Sequence, residues 1–306
     1  MTIGITKSLL YYQYGSLWES FFAELGCKVL LSEDTNELIF KTGSKDAQSE
    51  CCLPAKAHMG HVCSLLRGND CDYILSPYSA PKKGGEAICT RFWGMSDVLR
   101  YAYPDARLLE YAICEDDYEA QYKSFFEMGR KLGKKTKLVH NAYERAVSDQ
   151  MRLNEEKHNA QARLLESDKL KILLTGRSYV LHDAYISGAV INILSELGAI
   201  LVFSDHFDRS FTLPCSQAIS PRLYWNANRE ATGAIASYKE KIDGVIMLSV
   251  FPCASDALAC DMTIRKVNDL PITLIILDAL QAEAGLQTRI ESFIDIISER
   301  KLLGEK

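Results

Sequence analysis

The sequence predicts an α/β protein: two flavodoxin- or Rossmann-like parallel-sheet domains joined by helices. Short β-rich segments alternate with segments of helical apolar periodicity in both halves of the chain. Each half also contains the same order of helix, glycine and strand, in FFAELGCKVLLS and in NILSELGAILVFS. With 306 residues and 47% hydrophobic content, the chain is long enough for two such domains.

Residues 1–115 are predicted to form the N-terminal α/β domain. The segment SLWESFFAELG has apolar residues at three- and four-residue spacing, and its Gly26 is typical of a helix C-terminus. Short connections then lead into parallel strands, as in βαβ units. The predicted strands are TIGIT, CKVLLS, DYILSP and ARLLEYAI.

Residues 116–167 are predicted to be a helical linker region, because this stretch is rich in Glu, Lys, Arg and Gln and contains no proline. We interpret its charges as the solvated faces of long helices. Residues 168–306 repeat the α/β pattern, with a helix that ends at Gly198 and a closing C-terminal helix over TRIESFIDIISER. The predicted strands are KILLTGR, AILVFS, GVIMLSV and ITLIILD.

Composition excludes several classes of function. The formal net charge is −5, so the chain lacks the basic excess typical of nucleic-acid binding. It contains neither an apolar stretch of about 18 residues nor a secretory leader pattern, which predicts a cytoplasmic protein without membrane contact. Ten cysteines spread over a chain with its own core favour metal binding or burial over disulfides.

Common catalytic motifs are absent from the sequence. No C-x-x-C pair, phosphate-binding G-x-x-x-x-G-K-[ST] loop, convincing G-x-G-x-x-G or G-x-S-x-G elbow occurs. The residue types that stand out are instead three cysteines near expected helix starts.

These three cysteines lie at or near the loops where open α/β sheets bind ligands. Cys253 follows the strand GVIMLSV, with Ser255 or Asp256 as the expected cap of the next helix. Cys89 lies in the loop after DYILSP, and Cys52 precedes a helix with a proline in its first turn. The unpaired N–H groups of a helix start favour an anionic thiolate or cluster.

A series of segments carries a family resemblance over nearly the whole chain. They are, in order, IGITKSLLYYQYGSLWESFFAELGCKVLLS, CLPAKAHMGHV, DYILSPY, CTRFWGMSDVLR, ILLTGRSYVLHDAYISGAVINILSELG, FPCASDALACDMTIR and AEAGLQTRIESFIDII. In these segments the chain resembles the 2-hydroxyacyl-CoA dehydratase superfamily, most closely its stand-alone branch associated with CoA-substrate-specific enzyme activases.

The resemblance implies an iron–sulfur cluster, usually 4Fe–4S, held by three cysteines where the two domains meet. The matching residues are Cys52, Cys89 and Cys253, and thiolates bind iron strongly. It further implies electron transfer from an ATP-dependent activator protein to a small substrate in anaerobic metabolism. In characterised relatives that substrate is a CoA thioester, so the implied enzyme class is a dehydratase-like lyase or an ATP-dependent reductase component.

Other residues are candidates for supporting roles. Cys51 and Cys260 could add a fourth ligand or support a double-cubane cluster, although such cysteines are more often buried apolar residues. Lys56 and Arg289 are candidates for balancing cluster charge or contacting substrate, with solvation and an ion pair between the domains as the alternatives.

Two histidines share one face of the helix that follows Cys52. His58 and His61 are three residues apart, which is also a metal-ligand spacing. We favour a different interpretation, in which His61 packs near the cluster or helix start and donates to a cluster sulfur or to substrate.

Two departures from the family pattern leave a second function class open. FPCASD replaces both glycines that commonly flank the third cysteine of relatives, and Ala279 follows Asp278 where relatives commonly have an acidic residue. The alternative to a redox enzyme is therefore a non-catalytic cluster carrier or assembly subunit of an activase system. A homodimer and a pairing with a paralogous subunit both stay open.

Overall fold

The structure is a computed structural model that describes residues 1–68, 70–79, 89–113, 117–279 and 283–303. It divides into an N-terminal unit, Met1–Leu153, and a C-terminal unit, Asn154–Lys306. Each unit contains one four-stranded, all-parallel sheet, which confirms the predicted fold class. The predicted domain limits at residues 115 and 168 stay a prediction.

The sheet of the N-terminal unit has the strand order β2-β1-β3-β4. Its strands are β1 (Thr2–Ile5), β2 (Lys28–Leu31), β3 (Tyr73–Ser79) and β4 (Leu108–Ile113). The helices that begin in this unit are α1 (Tyr11–Glu24), α2 (Glu37–Asp46), α3 (Leu53–Gly68), α4 (Thr90–Trp93), α5 (Met95–Ala102), α6 (Tyr118–Lys131) and α7 (Thr136–Leu165).

Aromatic side chains fill the core of the N-terminal unit. Trp18 and Phe21 of α1 pack with Tyr111 of β4, and Phe125 of α6 and Tyr143 of α7 complete the cluster. The charged stretch after β4 contains the long helices α6 and α7, and one face of each is buried. Only their other faces are solvated, which is the pattern of an amphipathic helix on a sheet.

The sheet of the C-terminal unit has the equivalent order β6-β5-β7-β8. Its strands are β5 (Lys171–Thr175), β6 (Ile200–Phe203), β7 (Gly244–Val250) and β8 (Ile272–Leu277). Its helices are α8 (Ser178–Leu181), α9 (Ala184–Glu196), α10 (Arg209–Cys215), α11 (Asn226–Tyr238), α12 (Ala254–Lys266) and α13 (Glu283–Leu303).

Local sequence explains the strand and helix limits. All seven residues of β7 are buried, as expected for a central parallel strand with helices on both faces. Gly26 and Gly198 follow α1 and α9 with φ of 68° and 74°, the left-handed conformation that glycine tolerates at a helix end. Within the described ranges, no helix has the length and apolar character needed to cross a membrane.

Candidate functional site

In each sheet, the chain continues from one central strand to one edge of the sheet and from the other central strand to the opposite edge. The space between the carboxyl ends of these two strands is a topological switch point, where ligands commonly bind. In the C-terminal unit these strands are β5 and β7, and the residues that follow them are Arg177 and Cys253. Cys253 is half-buried and occupies the N-cap position of α12, where its carbonyl accepts the Ala257 N–H at 3.0 Å. It was predicted near this helix start, but Ser255 and Asp256, the expected caps, lie inside the helix.

A buried ion pair joins the β5 end to the first turn of α12. The Arg177 guanidinium donates to the Asp256 carboxylate at 2.9 to 3.2 Å and to the Ser255 hydroxyl at 3.0 Å. Asn228 of α11 donates to the same carboxylate at 2.9 Å. The side chains of Arg177 and Asp256 are only 10% and 6% exposed, so this pair is shielded from solvent.

The ion pair also sets the electrostatics around Cys253. Burial would raise the pKa of Asp256, but the charge and hydrogen bonds of Arg177 outweigh it and lower that pKa below its ordinary value. The Cys253 pKa is raised, first by burial and then by the Asp256 carboxylate, while Arg177 opposes the shift. Cys253 is therefore a protonated thiol at neutral pH, and a metal that binds it must displace this proton.

Cys52 and Cys89 lie in the N-terminal unit and have the same local structure as Cys253. The Cys52 carbonyl accepts the Ala55 and Lys56 N–H groups at 3.0 and 3.1 Å, which makes Cys52 the residue that begins α3. Cys89 is the N-cap of α4, and residues 80–88 before it, where the sequence predicts a loop, lie outside the described residues. Both cysteines are half-buried.

A hydrogen bond connects the region of Cys89 with the region of Cys52. Arg91 in the first turn of α4 donates to the Gln48 side chain at 3.0 Å, and the Gln48 carbonyl accepts the Cys51 N–H at 3.0 Å. Cys52 and Cys89 thus lie at the starts of helices whose N-terminal segments are connected by hydrogen bonds.

Two glycines hold α3 close to α2. A Cβ on Gly43 would lie 1.9 Å from the Lys56 carbonyl oxygen, and a Cβ on Gly60 would lie 1.9 Å from the Ile39 carbonyl oxygen. Any larger residue would push the helix backbones apart. Gly60 belongs to the motif CLPAKAHMGHV, and its role is to set the position of the helix that Cys52 begins.

His58 and His61 face inward from α3 and contact hydroxyl groups. His58 Nδ1 lies 2.8 Å from Ser8 Oγ, and His61 Nδ1 and Nε2 lie 2.8 and 2.9 Å from the hydroxyls of Ser32 and Thr35. Burial lowers the pKa of His58 to about 3 and that of His61 to about 4, so both rings are neutral. Since both nitrogens of His61 are engaged, the contacts favour a structural role over metal binding; a role toward a cluster or substrate stays a prediction.

The other candidate residues lie in different surroundings. Cys51 and Cys260 are buried, and burial raises the pKa of Cys260 to about 12. Lys56 is half-buried in the first turn of α3. Arg289 of α13 donates to the Leu274 carbonyl of β8 at 2.8 Å. Their roles toward a cluster stay predictions.

Sequence reasoning missed a group of three side chains beyond β5 and β6. His182 follows α8, and Asp205 and His206 lie in a 3-10 turn directly after β6. Burial would raise the pKa of Asp205, but its contacts with His182 lower it, and burial lowers the pKa of His206 to about 4. The sequence did contain a signal that could have revealed this group. Its histidines come shortly after two neighbouring predicted parallel strands, where ligand-binding residues are often found.

A family model described as the CoA enzyme activase uncharacterised domain matches residues 2–207. The chain belongs to this family. The match confirms the predicted activase-associated branch; it includes Cys52 and Cys89, whereas Cys253 and Arg289 lie beyond it. A search of curated proteins found no match.

Four chains of solved structures match this protein. One is titled "Crystal structure of ZnuA"; it is 10% identical, with 97% of this chain and 98% of that chain covered and a TM-score of 0.29. Such a low TM-score supports no argument about fold or function.

Proposed function

We propose that this chain is an iron–sulfur redox protein of a CoA enzyme activase system. In this proposal Cys52, Cys89 and Cys253 bind one 4Fe–4S cluster, and the chain accepts low-potential electrons from an ATP-dependent activator. The substrate is a small molecule, with acyl-CoA thioesters as the class to test first. Membership of the activase-domain family supports the partner, since the family description names a CoA enzyme activase.

The observation that carries the proposal is the shared local structure of the three cysteines. Each is half-buried and begins a helix, whereas Cys27, Cys51, Cys63 and Cys260 are buried in the core. A thiolate at a helix start lies beside N–H groups that lack intrahelical partners, and partial burial leaves the sulfur accessible to a bound group. This donor set fits an iron–sulfur cluster, because thiolate sulfur is the usual protein ligand of iron in such clusters.

Neighbouring residues of this chain fit the same role. Arg177 is a buried cation next to Cys253, and it offsets negative charge near that sulfur. Ser255, whose hydroxyl lies 3.4 Å from the Cys253 sulfur, is a hydrogen-bond partner available to a cysteine ligand. A bound cluster supplies one-electron transfer; three protein ligands leave one iron without a protein ligand and open to substrate or solvent.

Anaerobic purification followed by iron and sulfide analysis tests the cluster directly. We expect iron and sulfide in equal amounts, and an electron paramagnetic resonance signal after chemical reduction. Cys89→Ser should lower the iron content and remove the signal while the far-ultraviolet circular dichroism stays unchanged. The reason is that Cys89 is the N-cap of a helix of only four residues and is half-buried, so it is not part of the buried core.

Cys71→Ser is the matched control, because Cys71 is also half-buried but its sulfur lies 3.9 Å from the Leu65 carbonyl within the same unit. Its variant should keep the cluster. Full iron content in Cys89→Ser together with loss of iron in Cys71→Ser would overturn the ligand assignment.

Reduction by the activator tests the partner. The anaerobic protein, mixed with a cognate ATP-dependent activator and ATP, should be reduced only while ATP is hydrolysed. Turnover of an acyl-CoA in that mixture supports a redox enzyme. Reduction without turnover of any small substrate indicates the cluster carrier instead, and absence of reduction contradicts the proposed partner.

A further inference from the structure

His182, Asp205 and His206 form a compact group of ligand-type side chains in the C-terminal unit. One ligand atom from each lies within 4.8 Å of the other two, and all three side chains are half-buried. His182 Nε2 lies 2.9 Å from the nearer Asp205 carboxylate oxygen. The two imidazole rings are parallel, with 9° between their planes and 4.9 Å between their centroids.

These distances suit a metal of ordinary bond length. With metal–nitrogen and metal–oxygen bonds of about 2.1 Å, neighbouring ligand atoms are about 3.0 Å apart in octahedral and about 3.4 Å apart in tetrahedral coordination. The His182–Asp205 separation already has the octahedral value. The separations, which reach at most 4.8 Å, exceed the coordination values by no more than about 1.4–1.8 Å, a difference that a side-chain rotation of His206 on the turn after β6 can close.

Two neighbours of these three side chains fit a metal site, and one positive charge opposes it. The Ser178 hydroxyl hydrogen-bonds to Asp205, and the Phe203 ring packs at 5.2 Å from His182 and 5.4 Å from His206. A hydroxyl that orients a ligating carboxylate and an apolar wall are both usual around metal ligands. Lys157 is close enough to His206 to affect it electrostatically, so its positive charge reduces the attraction of a cation to this group.

The structure assigns a divalent first-row transition cation to His182, Asp205 and His206, with Zn²⁺ as the ion to test. Two imidazoles and one carboxylate are borderline ligands that suit Zn²⁺ and its neighbours in the series and do not suit Mg²⁺ or Ca²⁺. Three protein ligands leave further coordination positions for water or an anionic ligand. The three residues lie within the segment that matches the family model. This site shares no ligand with the proposed cluster, which uses sulfur ligands.

Metal titration must separate this site from the cysteines, because thiolates are also good ligands of Zn²⁺. We would therefore use the full chain with Cys52, Cys89 and Cys253 replaced by serine, stripped of metal, and titrate it with Zn²⁺ in a calorimeter. One Zn²⁺ per chain is expected. Co²⁺ should give visible bands of nitrogen and oxygen ligation without the near-ultraviolet charge-transfer band of a cobalt–thiolate bond.

Substitutions then assign the ligands. His206→Gln and Asp205→Asn should each weaken Zn²⁺ binding by about 100-fold or more. Loss of a residue that only supports a metal ligand typically costs about 10- to 100-fold, so loss of a ligand should cost at least as much. Ser178→Ala should weaken it by about 10-fold and keep the ligands themselves intact. His140→Gln changes an exposed histidine of α7 and should leave the affinity unaltered.

Three results would overturn the assignment. They are unchanged Zn²⁺ affinity in both His206→Gln and Asp205→Asn, a thiolate band in the Co²⁺ spectrum, and Mg²⁺ binding as tight as Zn²⁺ binding. Circular dichroism of each variant separates loss of the fold from loss of a ligand. If a ligand variant does not fold, the Ser178→Ala variant provides the test, because it removes one hydroxyl and no ligand. An unchanged Zn²⁺ affinity in that variant then contradicts the proposed site.

Discussion

Replacing Gly60 by alanine is a direct test of how α3 is positioned. The new Cβ would lie 1.9 Å from the Ile39 carbonyl oxygen and 2.7 Å from its carbonyl carbon. To restore ordinary contact, α3 must move away from α2 by about 1.5 Å. Both partners are helix backbone, so no side-chain rotation can relieve this overlap.

The expected loss of stability follows from this overlap. Overpacking in a well-packed region typically costs about 1–3 kcal/mol, and a clash with backbone falls at the upper end of that range. Alanine is better than glycine in a helix interior by about 1 kcal/mol, which offsets part of the cost. The net loss is about 2 kcal/mol, equal to a fall in Tm of about 4–8 °C for a unit of this size.

Urea unfolding followed by tryptophan fluorescence measures this loss, because Trp18 is buried in the core of the same unit. Gly188→Ala in α9 is the control and lies in the C-terminal unit, where Trp225 is the reporter: its Cβ would meet only the Ala184 Cβ, at 3.9 Å. The control should gain up to about 1 kcal/mol from helix propensity. Equal shifts in the two variants, or a stabilised Gly60→Ala protein, would refute the close-approach argument.

Two further predictions concern buried ionisable groups. Between pH 7 and pH 5 the unfolded chain binds protons at His58 and His61 while the folded chain does not, since their folded pKa values are about 3 and about 4. As the pH falls from 7 to 5, the free energy of unfolding should therefore decrease by about 2 kcal/mol per histidine, measured from the midpoints of urea unfolding. In the N-terminal unit, which contains both histidines, His61→Gln should remove about half of this loss and the exposed His140→Gln none of it; an unchanged pH dependence in His61→Gln contradicts the assignment. Separately, Arg177→Met leaves the buried Asp256 carboxylate without its cation and should cost about 3–5 kcal/mol in thermal or urea unfolding. The double variant Arg177→Met/Asp256→Leu should recover most of that loss, and a double variant less stable than the single one would contradict it.

The strands of both sheets could be predicted because each one is recognisable from its own short stretch of sequence. Each parallel strand is a short apolar run bounded by turn residues, and all eight predicted strands overlap the observed ones. Gly26 and Gly198 gave the ends of α1 and α9 because a left-handed residue at a helix end is a local requirement. The positions of Cys52, Cys89 and Cys253 near helix starts followed from the same local pattern.

What the sequence did not reveal depends on residues that are far apart in the chain. Arg177 and Asp256 are 79 residues apart, so no spacing rule connects them. The contact of Gly60 with the Ile39 backbone exists only once α2 and α3 cross. The expected caps of α12 were wrong for a local reason: Cys253 itself takes the N-cap position with an extended backbone, which moves the helix start ahead of Ser255.

One connection after β5 leads to both proposed metal-binding groups of the C-terminal unit. Arg177 pairs with Asp256 next to Cys253, and the adjacent Ser178 hydrogen-bonds to Asp205 next to His182. The two groups differ in ligand chemistry, because a thiolate prefers iron–sulfur binding whereas imidazole and carboxylate suit Zn²⁺. Iron content and Zn²⁺ affinity therefore report on different side chains, although each group has a neighbour, Arg177 or Ser178, in the connection after β5. Each proposal can consequently fail without the other, while a substitution that displaced the whole β5 connection would impair both.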